Sequence, residues 1–513
     1  MEAQDTTDYL ILGSGMAGLT VGALLSHAGH TVRILEAHEH PGGYAHSFPM
    51  GAYRFCAQVH YIFGCEPGGS VETFLRTIGL DIPFVQLDPD GYDHIVIAGD
   101  RYRIPNGFER FRDRLLRRFP AEADAIRAYF KTLMATRDEL ARLPERPGVL
   151  DLMGAPFRLP HLLRYRSSTL QEVFDQHGLG RRVQAVIAGQ AGDYLLPPAQ
   201  VSFLLQVALV SGYDQGAWYP VHHYGDLIDR VAGRITDAPG SSIVFGEEVD
   251  HLAVEGDRVI GVHTRSGRTW TGRTIISNID PARTATLTAA STPAPTGETA
   301  RTDKWRSRLR YDYSSASFTM YLGLHGLDLR EHGFGSWNVW HYPHDDLGRI
   351  YRDQVERGDL SDPWLFLSTP TLHSDAPGLA PPGHQVLEVA TACSYRHFRE
   401  LKDRGGHDYT REKTKVRDRI LDLIEEQYLP GLRAHLDMKV VGSPTTNEDF
   451  CWAPLGNSYG SALTPEHVGP SRVPFETPYR NLFLCNATAG YPSIAGTVRS
   501  GQRLFELLGR GVA

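Results

Sequence analysis

Hydrophobic and polar residues change their period twice within the first forty positions. Residues 9–12 form a short apolar run that stops at a glycine, and residues 19–28 are rich in Ala, Leu and Gly, which is typical of a buried helix. A second apolar run, TVRILE, follows at residues 31–36 and ends in an acid. This order predicts one βαβ unit, in which a helix joins two neighbouring parallel strands.

The pattern predicts further elements along the rest of the chain. Helical spacing of apolar residues occurs at residues 71–80, 107–143, 169–190 and 406–428. Strand-like patterns occur at residues 53–63, 84–105, 243–279, 318–322, 337–340, 364–367 and 481–485. Turn residues inside 243–279 predict an antiparallel meander whose last strand returns to the first sheet. The apolar run 201–210 predicts a core helix or the wall of a lipophilic pocket.

The loop after the first apolar run carries three glycines at the spacing GxGxxG. Gly13 lets the chain turn sharply, Gly15 lets a pyrophosphate approach the backbone, and Gly18 lets the helix lie close to the sheet. The helix that begins near Met16 and Ala17 offers free N–H groups and a partial positive charge to phosphates.

An acid stands at the end of the second strand. The Glu36 carboxylate can accept hydrogen bonds from ribose hydroxyls there, and Ala37 follows it directly. An ordinary glycine-rich turn in an α/β protein would leave this acid unexplained. Strand, turn, helix and acid together predict a dinucleotide-binding site.

The composition is that of a soluble globular protein. The chain has 513 residues, enough for two or three packing units, with 41% hydrophobic and 22% charged residues. A net charge of −8 and the absence of a lysine-rich block argue against a nucleic-acid partner. The first residues are polar and no run of about 20 apolar residues occurs, so neither a signal peptide nor a membrane span is expected.

Three further features bear on metals and on location. The five cysteines are scattered and form no CxxC pair, which favours a reducing cytoplasm and neither a zinc site nor a disulfide framework. His222 and His223 are adjacent, and neighbours on a strand or helix do not face one site, so no metal is predicted. The arginine-rich segment 110–119 indicates a solvated helix face, with contact to an anionic lipid surface as the alternative.

Pro41, Gly42 and Gly43 follow Glu36 within a few residues. This acid-then-PGG pattern near the amino terminus resembles the flavoprotein family that includes phytoene desaturases, carotenoid isomerases and retinol saturases. The resemblance implies FAD rather than NAD. It also implies an α/β fold in which a discontinuous Rossmann-type FAD-binding domain carries an inserted α+β substrate domain with a mixed sheet. The expected boundaries are 1–75, 221–290 and 446–513 for the first domain, and 76–220 and 291–445 for the second.

The resemblance assigns further residues to the FAD site. Gly42, Gly43 and Tyr44 are expected to pass close to FAD, and Val249 is expected to lie against its adenine. Asn278 resembles the end of the family's strand that returns to the dinucleotide sheet.

The flavin side is expected near the end of the chain. Asn486 stands where the family usually has an acid at the ribityl chain; it can still hydrogen-bond a hydroxyl but carries no charge. A helix N-terminus around Gly496 and Thr497 is expected to face the flavin O2 and N1 atoms, where negative charge develops on reduction.

Candidate catalytic residues come from segments that look most like retinol saturase, at 46–48, 53–55, 59–62 and 216–220. The family usually has an acid where Cys56 stands and a glycine where Gln58 stands. Because this segment passes near the isoalloxazine ring in such flavoproteins, Gln58 is expected to reshape the reaction centre. His60 and Tyr61 are candidate proton donors, with Tyr219 as a weaker candidate. A hydrogen-bonded core histidine and a packed tyrosine ring are the alternatives for His60 and Tyr61.

The resemblance implies an FAD-dependent oxidoreductase that acts on C=C bonds of a long conjugated lipophilic polyene. Saturation, desaturation and cis–trans isomerisation all fit one such site. The sequence has no second GxGxxG unit, so an external electron donor or acceptor is expected. A water-insoluble substrate leaves peripheral membrane contact open. Two alternatives stay open as well: an amine-oxidase-like flavoenzyme, and a non-catalytic carrier that holds FAD and a polyene.

Overall fold

The computed structural model of the chain describes residues 7–143, 149–289 and 299–509. The polar residues 1–6, the predicted domain boundary at 290–291 and the carboxyl-terminal residues 510–513 lie outside these ranges.

The strands of the described residues are numbered in chain order. They are β1 Thr7–Leu12, β2 Val32–Leu35, β3 Ser47–Met50, β4 Tyr53–Cys56, β5 Phe84–Gln86, β6 Asp93–Ile97, β7 Asp100–Ile104, β8 Trp218–Pro220, β9 Ser242–Val244, β10 Val249–Glu255, β11 Arg258–Thr264, β12 Thr269–Trp270, β13 Gly272–Ser277, β14 Ala316–His325, β15 Asn338–Tyr342, β16 Leu365–Ser368, β17 His384–Cys393, β18 Leu436–Gly442 and β19 Leu482–Leu484.

The α-helices are numbered in the same way. They are α1 Met16–His27, α2 Ser70–Thr77, α3 Phe108–Arg118, α4 Ala123–Ala141, α5 Val149–Arg158, α6 Pro160–Tyr165, α7 Leu170–His177, α8 Arg181–Ile187, α9 Phe203–Gly212, α10 His223–Thr236, α11 Pro281–Ala289, α12 Thr299–Ser307, α13 Leu347–Tyr351, α14 Pro370–His373, α15 Tyr395–Arg404, α16 Asp408–Gln427, α17 Pro444–Cys451 and α18 Ile494–Gly509. Short 3₁₀ turns include Gly43–Ala45 and Ala191–Asp193.

The predicted βαβ unit is confirmed and lies at the centre of a five-stranded parallel sheet. The strand order is β19-β13-β1-β2-β9. Helix α1 packs against α10 and α18 as well as against β1 and β2, so it is buried around nearly its whole circumference. This explains its Ala, Leu and Gly composition, because small residues allow close approach on every side. The fold is α/β with a Rossmann-type dinucleotide sheet.

The predicted meander is also confirmed. Strands β10, β11 and β12 form an antiparallel sheet, and β13 then returns to pair in parallel with β1. The carboxyl ends of β1, β2, β13 and β19 consequently meet at one edge of the parallel sheet. That edge is where ligands bind in open α/β sheets.

A mixed seven-stranded sheet forms the second layer system, in the order β18-β14-β17-β16-β15-β6-β7. Only β15 and β6 pair in parallel within it. One face packs Val339, Leu367 and Val389 against Ile420 and Ile424 of α16. The opposite face carries the side chains that line the cavity described below.

Two predicted elements differ from the structure. The helix predicted over 169–190 is divided into α7 and α8, because Gly178 takes a left-handed φ of +68° and ends α7. The strand pattern predicted up to residue 63 stops at Cys56, and residues 57–63 form a loop. The arginines of α3 form surface ion pairs, with Arg110 and Arg114 on Asp90 and Arg118 on Asp100, which supports the solvated-face interpretation.

Candidate flavin site and adjoining cavity

The GxGxxG loop leaves no room for side chains. Gly13 has φ +94°, which favours glycine. A Cβ at Gly18 would lie 2.6 Å from the Gly13 carbonyl oxygen, and one at Gly15 would lie 2.5 Å from the amide group of Asn278. The start of α1 therefore comes as close to β1 and β13 as bare backbone allows, which leaves its first N–H groups available to a phosphate.

The PGG segment lies beside this loop. The Gly42 N–H donates to the Ser14 carbonyl (2.9 Å), and Gly42 and Gly43 have φ of +111° and +55°. A Cβ at Gly43 would lie 3.3 Å from the Gly15 Cα. Tyr44 follows, and its hydroxyl donates to the Asn457 carbonyl. The two glycine segments form one cradle.

The Glu36 carboxylate holds the backbone at the end of β2 next to the glycine loop. Its Oε2 accepts from the Ser14 N–H (2.7 Å) and hydroxyl (2.5 Å), and its Oε1 accepts from the His38 N–H (2.8 Å). A carboxylate has about four acceptor positions, so one remains for a ribose hydroxyl. Ala37 lies between Glu36 and His38, and Val249 is buried at the start of β10 beside Leu35 at the end of β2.

Asn278 and Asn486 stand at the carboxyl ends of β13 and β19. With its amide oriented to satisfy both groups, Asn278 donates to the Cys485 carbonyl (2.7 Å) and accepts from the Gly15 N–H (2.9 Å). Asn486 donates to the Ile279 carbonyl (2.7 Å), and its Oδ1 accepts from the N–H groups of Thr488 and Ala489. Both residues shape the backbone beside the glycine loop, and Asn486 keeps one N–H for another acceptor.

Helix α18 brings this edge of the sheet to a cavity. It begins at Ile494, two residues earlier than predicted, because the Ser493 hydroxyl accepts from the Gly496 N–H (3.0 Å) and starts the first turn. Thr497 donates back to the Ser493 carbonyl (2.7 Å). Ser493, Ile494 and Ala495 form part of the cavity wall. The partial positive charge of the helix N-terminus therefore lies beside the cavity.

These residues fit an extended dinucleotide that carries a flavin. The glycine cradle would hold its diphosphate, Glu36 its ribose, and the α18 N-terminus its electron-accepting ring edge. A flavin bound there supplies hydride and electron transfer, which amino-acid side chains cannot perform.

The cavity measures about 840 Å³, counted out to its open mouth. The mixed sheet contributes Trp340, Phe366 and Ala390, which stand side by side on β15, β16 and β17. The loop 57–63 forms the wall nearest the glycine cradle and carries Gln58, His60 and Tyr61. A largely aromatic chamber with a few polar groups is typical of a site for an apolar small molecule.

His60 forms a buried pair with an acid that sequence reasoning missed. Its Nδ1 lies 2.6 Å from Oε2 of Glu388, which is 1% exposed on β17 and also accepts from the Cys56 N–H (3.3 Å). This hydrogen bond fixes the imidazole orientation and leaves Nε2 as its other functional atom. A single acid within the apolar run VLEVA was the one signal in the sequence for Glu388.

Tyr61 contacts two carboxyl groups that the sequence analysis also missed. Its hydroxyl lies 3.0 Å from Oδ2 of Asp93 and 2.9 Å from Oδ2 of Asp193. Asp93 begins β6 and is fully buried, whereas Asp193 ends the 3₁₀ turn 191–193 and lies on the cavity wall. Burial raises the pKa of Asp93 to about 7 and raises the pKa of Asp193 well above its usual range.

The remaining two candidates are placed differently. Gln58 lies on the cavity wall, where it donates to Asn447 Oδ1 (3.3 Å) and accepts from the Ser317 hydroxyl (3.3 Å). Tyr219 is 1% exposed, packs against Tyr224 and His373, and is absent from the residues that line the cavity. Three of the four candidates are thus brought together, and Tyr219 lies apart from them.

The described part of the chain contains neither a metal-binding cluster nor a membrane-crossing helix. No group of three or more His, Cys, Asp or Glu side chains there is arranged to hold a metal ion. Among the helices of the same residues, none combines the length and the apolarity that crossing a bilayer requires.

Comparison with known proteins decides the family. A sequence model described as flavin containing amine oxidoreductase matches residues 16–504. The chain belongs to this flavin-containing amine oxidoreductase family. It is therefore an FAD-dependent oxidoreductase.

Curated relatives of this flavoenzyme cover most of its length. A Danio rerio protein named all-trans-retinol 13,14-reductase is 26% identical, over 93% of this chain and 82% of its own. An Oncidium prolycopene isomerase is 22% identical, over 96% and 81% of the two chains. A lycopene-forming phytoene desaturase from Pseudescherichia vulneris is 24% identical, over 97% and 98%. These names bear out the family resemblance drawn from the PGG pattern.

Solved structures share the fold of the flavoenzyme. An oxidoreductase from Methanosarcina mazei superimposes with a TM-score of 0.63 at 16% identity, over 97% of this chain and 99% of that one. Putrescine oxidase bound to putrescine superimposes with a TM-score of 0.65 at 13% identity, over 99% of both chains.

Proposed function

We propose that this flavoenzyme acts on C=C bonds of a long conjugated lipophilic polyene of the carotenoid or retinoid kind. The carrying observation is the cavity, in which an aromatic sheet face, a helix N-terminus suited to a flavin and titratable side chains meet. The named reductase, isomerase and desaturase relatives support the same substrate class. Saturation, desaturation and cis–trans isomerisation are the three reactions that such a site can perform.

In this proposal the residues of the cavity wall have different roles. Trp340 and Phe366 pack against the polyene, and Gln58 sets the width of the chamber next to the loop 57–63. His60 and Tyr61 are the groups of that loop that take part in proton exchange with the substrate, directly or through the acids to which they are hydrogen-bonded. Tyr219 follows Trp218, whose backbone pairs with Ile62 of that loop, and is a core packing residue in this proposal.

The rest of the FAD site follows the same proposal. Gly13, Gly15, Met16, Ala17 and Gly18 would surround the diphosphate, with Gly42, Gly43 and Tyr44 on its other side. Glu36, Ala37 and Val249 would contact the adenosine, Asn278 would lie beside the glycine loop that holds the diphosphate, and Asn486, Gly496 and Thr497 would contact the flavin half. Electrons come from or leave to an external carrier. The FAD-binding and substrate-binding domains divide near residues 75, 220, 290 and 445, as the resemblance implies.

One exposed region is suited to contact with a membrane surface, from which a cytoplasmic protein could take up its polyene. Met153 and Phe157 of α5 are 70% and 89% exposed, and the exposed arginines 158, 164 and 166 lie close to them in sequence. Helix α5 packs on α6 and α6 on α9, whose Leu209 lines the cavity. Apolar side chains flanked by arginines favour anionic lipid.

Vesicle sedimentation tests this contact. We expect the holoenzyme to sediment with phosphatidylcholine vesicles that contain phosphatidylglycerol, and much less with phosphatidylcholine alone. Phe157→Glu should release it, whereas Ile260→Glu on the exposed face of β11 should not, because Ile260 is also an exposed apolar residue (54%) but lies in the meander. Equal sedimentation of both variants would contradict the proposed surface.

Anaerobic mixing with a polyene tests the function itself. The holoenzyme is reduced by light, mixed with all-trans-retinol or a carotenoid, and followed by flavin absorbance. Return of the oxidised flavin band indicates saturation, and bleaching of the oxidised enzyme by a polyene indicates desaturation. A change of product geometry without flavin turnover indicates isomerisation.

The alternatives give different results in the same experiment. Bleaching of the oxidised enzyme by an amine such as putrescine, with no response to a polyene, would replace the proposal with an amine oxidase. Binding of a polyene without chemical change in either flavin state would leave a carrier.

A further inference from the structure

Tyr61, Asp93 and Asp193 form a chain of hydrogen bonds at the cavity wall, and the donor and acceptor of each bond can be assigned. The Tyr61 hydroxyl has one hydrogen but lies within hydrogen-bond distance of two carboxyl groups, Asp93 and Asp193. It can donate to only one of them. The other contact is a hydrogen bond only if that carboxyl group itself holds a proton and donates to the tyrosine oxygen.

The surroundings decide which carboxyl group holds the proton. Asp93 Oδ2 also accepts from Gln190 Nε2 (2.7 Å), and its Oδ1 accepts from Asn338 Nδ2 (3.2 Å). Because both amides only donate at these atoms, Asp93 is suited to be the carboxylate. Asp193 is then the carboxylic acid, which donates to Tyr61, which donates to Asp93.

We propose that Asp193 is the acid that protonates the polyene, and that Tyr61 and Asp93 are positioning residues that keep it protonated. This inference rests on the proposed function. In saturation, one carbon of the double bond would take a hydride, which a reduced flavin supplies when bound, and its neighbour would take the proton of Asp193, whose O–H turns from the Tyr61 oxygen to the substrate. The π bond is replaced by two C–H bonds, and the Asp193 carboxylate regains a proton from water at the cavity mouth. Isomerisation by the same acid adds and then removes one proton.

The electrostatic surroundings of Asp193 agree with this assignment. Burial and then the negative charge of Asp93 raise the pKa of Asp193, so it stays protonated where an ordinary aspartate would ionise. Six further tyrosines interact with the pair and stay neutral, because burial raises their pKa values: Tyr92, Tyr194, Tyr213, Tyr342, Tyr351 and Tyr459. The ring of Phe366 contacts the rings of both His60 and Tyr61.

Infrared spectroscopy of the oxidised holoenzyme tests the proton without any substrate. We expect the carbonyl band of a buried protonated carboxyl group at pH 8, above the pKa of about 7 of Asp93, and its loss in Asp193→Asn. In Asp93→Asn the band should titrate at lower pH than in the wild type, because the charge that disfavours ionisation of Asp193 is gone. Absence of the band in the wild type, or its survival in Asp193→Asn, would overturn the assignment.

Turnover in D₂O tests the transfer. Asp193→Asn should lower the uptake of solvent deuterium into the polyene by about 10²–10⁴-fold, and Asp193→Glu should restore part of it. The high-pH limit of activity should move to lower pH in Asp93→Asn, which a merely structural role would not cause. Flavin content and thermal midpoint establish that each variant is folded.

The outcomes separate this inference from the proposed function. Normal deuterium uptake in Asp193→Asn, together with its loss in His60→Gln, would give the role to His60 and overturn the inference while leaving the polyene reaction intact. A wild-type enzyme that changes no polyene, yet shows the carboxyl band, would instead defeat the proposed function.

Discussion

At the scale of single residues, the flavin cradle depends on glycines, because a side chain at Gly15 or Gly18 would collide with neighbouring atoms. Gly18 stands where any Cβ would meet the Gly13 carbonyl oxygen at 2.6 Å. Backbone cannot move aside as a flexible side chain can, so α1 would have to shift away from β1. The phosphate-binding turn would open as it did so, and the N–H groups would lose their common direction.

Gly18→Ala should therefore weaken FAD binding by roughly 5- to 150-fold, which corresponds to about 1–3 kcal/mol for overpacking a close contact. Fluorescence titration of the apoprotein with FAD measures this. Gly233→Ala on α10 is the matched control, because no atom lies within 4 Å of the added Cβ. It should leave FAD affinity unchanged and raise stability by up to about 1 kcal/mol. Equal affinity in the two variants would show that the close contact does not shape the cradle.

At the scale of elements, the 3₁₀ turn 191–193 joins the helical region to the sheet. A Cβ at Gly192 would meet the ring of Trp340 and lie 2.9 Å from that of Trp364. Both indoles line the cavity. The turn can therefore approach β15 only through this glycine, and it is this approach that brings Asp193 to Tyr61.

Gly192→Ala should push the Trp340 ring into the chamber. We expect kcat/KM for a polyene to fall by at least tenfold, because the chamber narrows and Asp193 moves away from the substrate, while FAD content stays at one per chain. Steady-state kinetics with a flavin count from absorbance measure both. A variant with unchanged kinetics would place the polyene elsewhere.

Helices and strands could be predicted from the sequence where a regular spacing of apolar residues extends over many positions. The βαβ unit, the meander and α16 followed from period alone, and the PGG pattern led to FAD. Residues 57–63 were predicted as a strand but form a loop. Their polar and apolar residues alternate because they face the core and the cavity, and not because they lie on two faces of a strand. Asp93 and Asp193 lie 100 positions apart in the sequence and meet only through Tyr61, so no local signal could pair them.

At the scale of the whole molecule, burial of neutral histidines makes stability depend on pH. Burial lowers the pKa of His94 and His223 to about 3, and that of His341 and His373 to about 4. Repulsion from nearby arginines adds to the effect at His94 and His223. Each histidine is neutral in the folded state and charged in the unfolded state between these values and about 6.5.

The free energy of unfolding should therefore fall as the pH drops from about 6.5 towards 4, because the unfolded chain binds more protons. Each buried histidine contributes up to about 1.4 kcal/mol per pH unit. Asp93 and Asp193 oppose this trend, since their raised pKa values make the folded state bind more protons between pH 4 and 7. His373→Phe should reduce the slope, whereas Ile260→Gln, which removes no titratable group at an exposed position, should not. Urea unfolding of the holoenzyme at several pH values measures the slopes, and identical slopes in both variants would contradict the assignment.

In the proposed reaction, the enzyme changes a C=C bond of a polyene bound in the cavity. The mass and double-bond geometry of the recovered polyene test this proposal most directly. FAD-replete enzyme is incubated without oxygen, in both oxidised and reduced form, with a conjugated polyene, and the recovered polyene is analysed by mass and by double-bond geometry. The account predicts an altered polyene in one of the two states: two hydrogens gained, two lost, or the same mass with a changed double bond. Recovery of the unchanged polyene from both flavin states would contradict it.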